Sequence, residues 1–257
     1  MGRAVTEESV EYGQVIVKMS RALGLREASG LVRIDDGSFL VVDDERGIFH
    51  CTGDGKSVQL DAGKELVDLE GIAIMPDGMS VCVLSEEDGG VWRYGVDGSS
   101  LHGGEQLGVL PQLSKKKNRG WEGIAFAAAG TLDTGSVLLA AHQAKPRRVG
   151  LFDVDTLEQG ALLRLPKDAR KAIGELNDIA VGANGRILLL SGKSGRIAEM
   201  RLESGTLVLV RVYCIETSKQ DVPEGISVDA EGRVWICTDG KGMLRQLELK
   251  PRHFDSD

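Results

Sequence analysis

Hydrophobic and polar positions along this chain fall into short blocks. Some alternate, others run apolar without interruption, and glycine-bearing turns bound most of them. Phe39-Leu40-Val41-Val42, Val81-Cys82-Val83-Leu84, Val137-Leu138-Leu139, Ile187-Leu188-Leu189-Leu190 and Val234-Trp235-Ile236-Cys237 are of the second kind. Period two and short Gly-bounded runs predict β-strands, because amphipathic helices would space apolar residues at three and four. Only 167–174 reads as a helical turn.

Before five of these blocks stands a related hexamer. Leu69-Glu70-Gly71-Ile72-Ala73-Ile74, Trp121-Glu122-Gly123-Ile124-Ala125-Phe126 and Pro223-Glu224-Gly225-Ile226-Ser227-Val228 are the clearest copies. Ala28-Ser29-Gly30-Leu31-Val32 and Leu176-Asn177-Asp178-Ile179-Ala180-Val181 are weaker ones. The second residues (Ser29, Glu70, Glu122, Asn177, Glu224) stand roughly 41 to 55 residues apart. Repeats of about 40–50 residues with about four strands each are the signature of β-propeller blades. The chain is therefore expected to be all-β, a five-bladed β-propeller in a single domain spanning 1–257. Its blades cover about 28–60, 68–113, 120–165, 175–215 and 222–250. The fifth offers only three strands, and an open edge invites aggregation. The alternating segment at about 13–19 is expected to supply the missing outer strand and close the ring.

Composition adds two constraints. Glycine occurs 34 times, as hairpin-rich chains require, and only 4% of residues are aromatic, so the core must rest on Val, Ile and Leu. A net charge of −8 argues against nucleic acid as partner, and no stretch is apolar for long enough to span a membrane. Cys51, Cys82, Cys214 and Cys237 form no C-x-x-C pair and read as buried, reduced thiols. Met1–Glu8 does not read as a signal peptide, so the sequence as given reads as cytoplasmic.

Candidate chemistry follows from the fold. The innermost strand of each blade lines the channel, so Ser29, Glu70, Glu122, Asn177 and Glu224 should form a ring at one mouth. Like charges in one site raise one another's pKa, and a bound cation relieves the conflict. Carboxylate, amide and hydroxyl oxygens suit Ca²⁺, which accepts about 6–8 oxygens in loose geometry. Asp178, where the other hexamers have Gly, would add an oxygen. Capping of neighbouring backbone amides by the same Glu side chains, or an ordered water cluster, are the alternatives. The loops on this face carry an acidic arc, with Asp43, Asp44 and Glu86, and a basic arc, with Arg119, Lys193 and the runs 115–117 and 145–148. His142 and Asp239 are candidate bases at the rim. No P-loop, G-x-S-x-G elbow, EF-hand or His pair at metal spacing is present.

These hexamers, with Asp68-Leu69-Glu70-Gly71-Ile72, Trp121-Glu122-Gly123-Ile124, Leu176-Asn177-Asp178-Ile179 and Pro223-Glu224-Gly225-Ile226, resemble the SdiA-regulated family of bacterial propellers over about 28–248. The resemblance implies a five-bladed propeller with a calcium site and no established reaction, and it implies the cell envelope as location. A looser similarity joins the hexamers to gluconolactonase, paraoxonase and strictosidine-synthase-like propellers and to esterase-like phytases. In the first group a channel cation acts on lactones or phosphoesters. There Pro commonly follows Glu-Gly, where this chain has Ile72, Ile124 and Ile226. Two functions are thus expected: a calcium-bearing module binding a small anionic ligand or a protein at the mouth, or a metal-dependent hydrolase of a lactone or phosphoester. A closed ring without free edges favours a monomer.

Overall fold

The computed structural model describes residues 10–252 except 35, 64, 65, 67, 115–118, 133, 144 and 146. The basic run 115–117 therefore lies outside the described residues, as do two positions of the 142–148 loop.

Strand β1 (Tyr12–Ala22) comes first and finds its partners last. Then follow β2 (Ala28–Arg33), β3 (Phe39–Asp43), β4 (Gly47–Cys51) and β5 (Ser57–Gln59), and after them β6 (Leu69–Ile74), β7 (Ser80–Ser85), β8 (Gly90–Asp97) and β9 (Ser100–Val109). The third group is β10 (Trp121–Ala127), β11 (Val137–His142), β12 (Arg148–Asp153) and β13 (Gln159–Arg164). Past helix α1 (Lys167–Ala172) come β14 (Asp178–Val181), β15 (Ile187–Ser191), β16 (Arg196–Glu203) and β17 (Thr206–Cys214). The last group is β18 (Asp221–Val228), β19 (Val234–Gly240) and β20 (Met243–Pro251). The first three groups are separate four-stranded sheets. The remaining strands make one eight-stranded sheet in the order β14-β15-β16-β17-β1-β20-β19-β18.

That larger sheet is two four-stranded halves joined at their outer edges. On one side β1 pairs antiparallel with β20, from Gly13↔Pro251 to Ala22↔Met243, as the segment 13–19 predicts. On the other it touches β17 in parallel at only two positions, Tyr12↔Val212 and Gly13↔Tyr213. Glycine at 13 is what permits the seam, since any side chain there would overlap the Tyr213 ring.

Strands β2, β6, β10, β14 and β18 pack against one another in that cyclic order, with β18 returning to β2. Within each repeat the hairpin after this inner strand turns on a glycine with positive φ: Gly37, Gly78, Gly130, Gly185 and Gly232. The architecture is that of an all-β propeller. Its core lies between consecutive sheets, where each apolar cluster draws residues from two neighbours. Leu40 and Val42 meet Ile72 and Val83, for example, and Leu139 and Val149 meet Ile179 and Leu189. The scarcity of aromatics shows in these clusters, which are mostly Val, Leu, Ile and Ala. The exceptions are local anchors such as Trp121, edge-on to Phe152 at 5.5 Å, and Trp235 against Phe39 at 4.8 Å.

Cys51, Cys82 and Cys237 are buried free thiols, and burial pushes Cys51 up to about 11 and Cys82 to about 12. Cys214 departs from the expectation, because it ends an outer strand and is exposed. Among the described residues no helix is long and apolar enough to cross a membrane.

Candidate metal centre

The predicted ring residues share one backbone device. In the ladders of the inner strands, pairing skips from Ala28 to Gly30, from Leu69 to Gly71, from Trp121 to Gly123 and from Pro223 to Gly225. Ser29, Glu70, Glu122 and Glu224 are thus each the extra residue of a β-bulge. A bulge re-aims its side chain and ends regular pairing. The fourth copy differs, since Asn177 lies just before β14 and donates its N–H to the Leu190 carbonyl at 2.9 Å.

The glycine after each anchor serves close approach. A methyl group on Gly71 would come within 3.0 Å of the Ile124 nitrogen and 3.1 Å of the Gly123 Cα. One on Gly30 would crowd the Glu70 carbonyl at 3.0 Å, and one on Gly225 the Gly30 Cα at 2.8 Å. Inner strands therefore pack backbone to backbone here, which draws the anchors together.

The closest gathering of oxygens is on the side of the second repeat. Asp68, Glu70 and Glu86 each offer a carboxylate oxygen within 4.8 Å of the others, a group that could hold a metal ion. Asp68 precedes the hexamer with a positive φ of 58°, and its carbonyl accepts the Glu86 N–H at 2.9 Å. Glu86 itself accepts the Gly120 N–H through Oε1 at 2.9 Å, tying this group to the third repeat. Beside it Glu122 is only 5% exposed, and its Oε1 is buried without a hydrogen-bond partner. Buried carboxylate oxygens without donors are costly, and a cation at this group or a proton shared with the hydrogen-bonded Glu86 would each relieve that cost.

Electrostatics agree with that geometry. Burial, then the charges of Glu86, Asp44 and Asp68, push Glu70 up to about 9. Burial raises Glu122 well above the ordinary carboxylate range, with Glu70 and Glu86 adding to it. Glu224 rises to about 8 through burial and Asp239, although its bond from Asn177 opposes the shift. Asp44 rises to about 6 by burial and the neighbouring Asp43, and one of its oxygens is also buried without a partner. Metal affinity in such a set must compete with protons, and loading it releases them.

The other predicted residues sort differently. Asn177 donates to Glu224 Oε2 and accepts the Gly192 N–H through Oδ1 at 2.8 Å, so both amide atoms are engaged. Ser29 donates to the Glu27 carbonyl at 3.3 Å. Asp178 is 2% exposed, and its two oxygens accept the Ile179 and Ile226 N–H groups at 2.7 Å each. That is backbone capping, the alternative role foreseen for the glutamates. His142 is fully buried at the end of β11, its ring edge-on to Trp121 at 5.3 Å, so it is a core residue and not a base at the rim. Asp239 lies close enough to Glu224 and Glu27 to raise both.

At the rim, Asp43 is fully buried and bound to Arg46, with an Nη2–Oδ2 distance of 2.6 Å. Lys193 is exposed and paired with Glu175 at 3.7 Å, and Arg119 is half-buried. The basic arc is partly spent on structure, since Arg147 donates to the Ile173 and Gly174 carbonyls at 2.6 Å and closes the end of α1. Two members of this acidic group, Asp68 and Glu86, were not among the expected ligands, Glu86 being placed at the rim. A signal existed for Asp68, two residues before a bulged Glu, as Glu27 stands before Ser29. A Ser–His–Asp group also occurs away from the mouth, with Ser38 Oγ 2.7 Å from His50 Nε2 and 2.5 Å from Asp36. The second repeat has Asp77, Ser80 and Arg93 in the same hairpin contact, which marks it as a turn lock.

The sequence profile of the SdiA-regulated family matches residues 13–240, nearly the whole chain. The chain belongs to the SdiA-regulated family. No functionally curated protein matches its sequence significantly. Solved structures similar to this family member are propeller proteins of low identity. The glutaminyl cyclase of Myxococcus xanthus superposes with a TM-score of 0.68 at 14% identity, covering 95% of this chain and 100% of that one. The PQQ-bound aldose sugar dehydrogenase of Streptomyces coelicolor gives 0.58 at 16% identity, covering 93% and 99%. A provisionally assigned gluconolactonase gives 0.54 at 14% identity, covering 94% and 84%. At these identities the likeness concerns the fold.

Proposed function

We propose that this SdiA-regulated protein is a single-domain, five-bladed, monomeric propeller that binds a divalent cation, calcium, at the acidic mouth. The bound cation serves as a platform for a ligand or a partner protein. The observation that carries this reading is the buried, unpartnered Glu122 oxygen beside the Asp68–Glu70–Glu86 group. Glu70, Glu86, Glu122 and Asp68 would hold the ion, with the Asn177–Glu224 pair across the mouth. Hard carboxylate oxygens suit Ca²⁺, and Mg²⁺ demands a stricter octahedron. A bound cation inverts the local field, so a carboxylate or phosphate oxygen of the ligand is accepted where bare protein would repel it.

The second reading, a metal-dependent hydrolase of a lactone or phosphoester, draws support from Asp239. Its charge acts on Glu224 at the mouth, which places it where a base would be needed. The cation would supply polarisation of the carbonyl or phosphoryl oxygen.

The test is metal content and melting temperature of protein prepared with calcium, before and after chelation. One ion per chain and a lower melting temperature on its removal are expected, because a ligand bound only to the native state stabilises it. Protein without a bound ion, and unmoved by added calcium, would sink the reading. Turnover of lactones or phosphoesters that depends on the ion would favour the second.

A further inference from the structure

At three joints between successive repeats, the residue leading into an inner strand donates its N–H to the repeat before. In the first repeat Asp44 follows the second strand, β3, and its main-chain carbonyl accepts the Asp68 N–H at 2.9 Å. In the third, Gln143 follows β11, and its carbonyl accepts the Leu176 N–H at 3.0 Å. Glu86 holds the same place after β7, but here the Gly120 N–H goes to the side chain, at Oε1, 2.9 Å away. The joint between the second and third repeats is therefore made by a carboxylate that also belongs to the Asp68–Glu70–Glu86 group. The same carboxylate is hydrogen-bonded to Glu122, whose Oε1 is buried without a partner. Gly120 leaves the room it needs, since a methyl group there would stand 2.8 Å from the Glu86 Cγ.

We infer that Gly120 is a positioning residue, whose N–H aims Glu86 at the cation and whose missing side chain lets the carboxylate in. The inference rests on the cation reading above and deepens it. With Oε1 tied to a main-chain donor, the Glu86 carboxylate is kept from swinging out of the acidic group. Carboxylate ligands are commonly held in orientation by such hydrogen bonds, and losing the donor weakens the site. Because the joint and the ligand are one side chain, loading of the site must be felt at the Gly120 amide. The carbonyl joints at Asp44 and Gln143 have no such coupling through a side chain.

The experiment joins calorimetric titration of the chelated full chain with Ca²⁺, on wild type, G120A and Q143A, to NMR of the wild type. G120A should weaken Ca²⁺ binding by about 10- to 100-fold, as loss of groups that orient ligands does. Q143A, at the equivalent place in a joint made by main chain alone, should bind as wild type does. Labelling arginine carbonyl carbons and glycine nitrogens singles out Gly47 and Gly120, the only glycines that follow an arginine. The Gly120 amide resonance should move on loading and saturate together with the calorimetric signal. Unchanged affinity in G120A, or a Gly120 amide that stays still while wild type takes up the ion, would overturn the inference. An equal loss in Q143A would overturn it too, by making the effect one of the joints in general. The amide readout decides the matter even where G120A does not fold, because it is taken on wild type. Wild type that takes no ion refutes the cation reading itself, a result distinct from all of these.

Discussion

On the side built by the second and third repeats, Asp68, Glu70 and Glu86 crowd together with Glu122 beside Glu86, and Glu122 Oε1 is buried without a donor. On the side built by the fourth and fifth repeats, Asn177 is bonded to Glu224 and to the Gly192 amide, and Asp178 to two further amides. Both sides descend from one hexamer on one kind of inner strand. Two residue choices separate them: Asn in place of Glu at the anchor, and Asp in place of Gly after it. The first side leaves a buried carboxylate oxygen without a donor, whereas the second engages Asn177 and Asp178 fully and gives Glu224 a donor, although burial and Asp239 still raise that glutamate. Within a repeat protein, then, chemistry is to be sought where the repeats leave atoms unsatisfied, more than where the motif is best preserved.

The largest expected effect comes from ionising the buried glutamates of both sides. Glu70 near 9 and Glu224 near 8 lie far above the ordinary value of about 4.3 for a glutamate. Between those values the folded chain holds more protons than the unfolded one, so stability present at low pH is lost as pH rises through 8–9. Chelated protein should therefore melt at steadily lower temperature from about pH 5 to pH 9. Saturating calcium should flatten or reverse that slope. A rising slope without calcium would break the comparison at its base.

Next in size is the contrast between E122Q and E224Q. The first should raise the melting temperature of chelated protein at pH 8 and weaken calcium binding by more than about 100-fold. The second, on the side where the carboxylate has a donor, should weaken binding only about tenfold. Calorimetry and thermal melts on the pair decide it, and equal losses would show the two sides to be alike. Smallest is K193A. Lys193 sits mostly in water with a long contact to Glu175, so the change should stay within about 0.5 kcal/mol in stability and leave calcium affinity unmoved.

Much of this was legible in the sequence, for physical reasons that also mark where legibility ended. Hexamer spacing and period-two blocks pointed to the propeller, and the missing outer strand pointed to 13–19, because a strand edge needs a partner. The repeat also led to the expectation that Glu70, Glu122 and Glu224 share one neighbourhood, and their charges do act on one another. The bulges did not follow from it, since pairing register has no local signature beyond a Glu before a Gly. Without them Asp68 and Glu86 could not be placed beside Glu70. The misplacement of His142 came from treating the end of β11 as rim, when the Trp121 ring covers it. Asp178 was recognised as an oddity, but its donors come from Ile226, 48 residues away, which no local pattern announces.

The seam at β1 carries a consequence for how the chain is made. A ribosome delivers Tyr12–Ala22 among the first strands, yet its antiparallel partner, Met243–Pro251, emerges more than two hundred residues later. Until then this strand must wait with bare edges or seek a temporary companion. Such remote pairing slows folding. Completion of the ring is therefore expected to be a late, post-translational event, with newly made chains prone to aggregate before it and resistant after it.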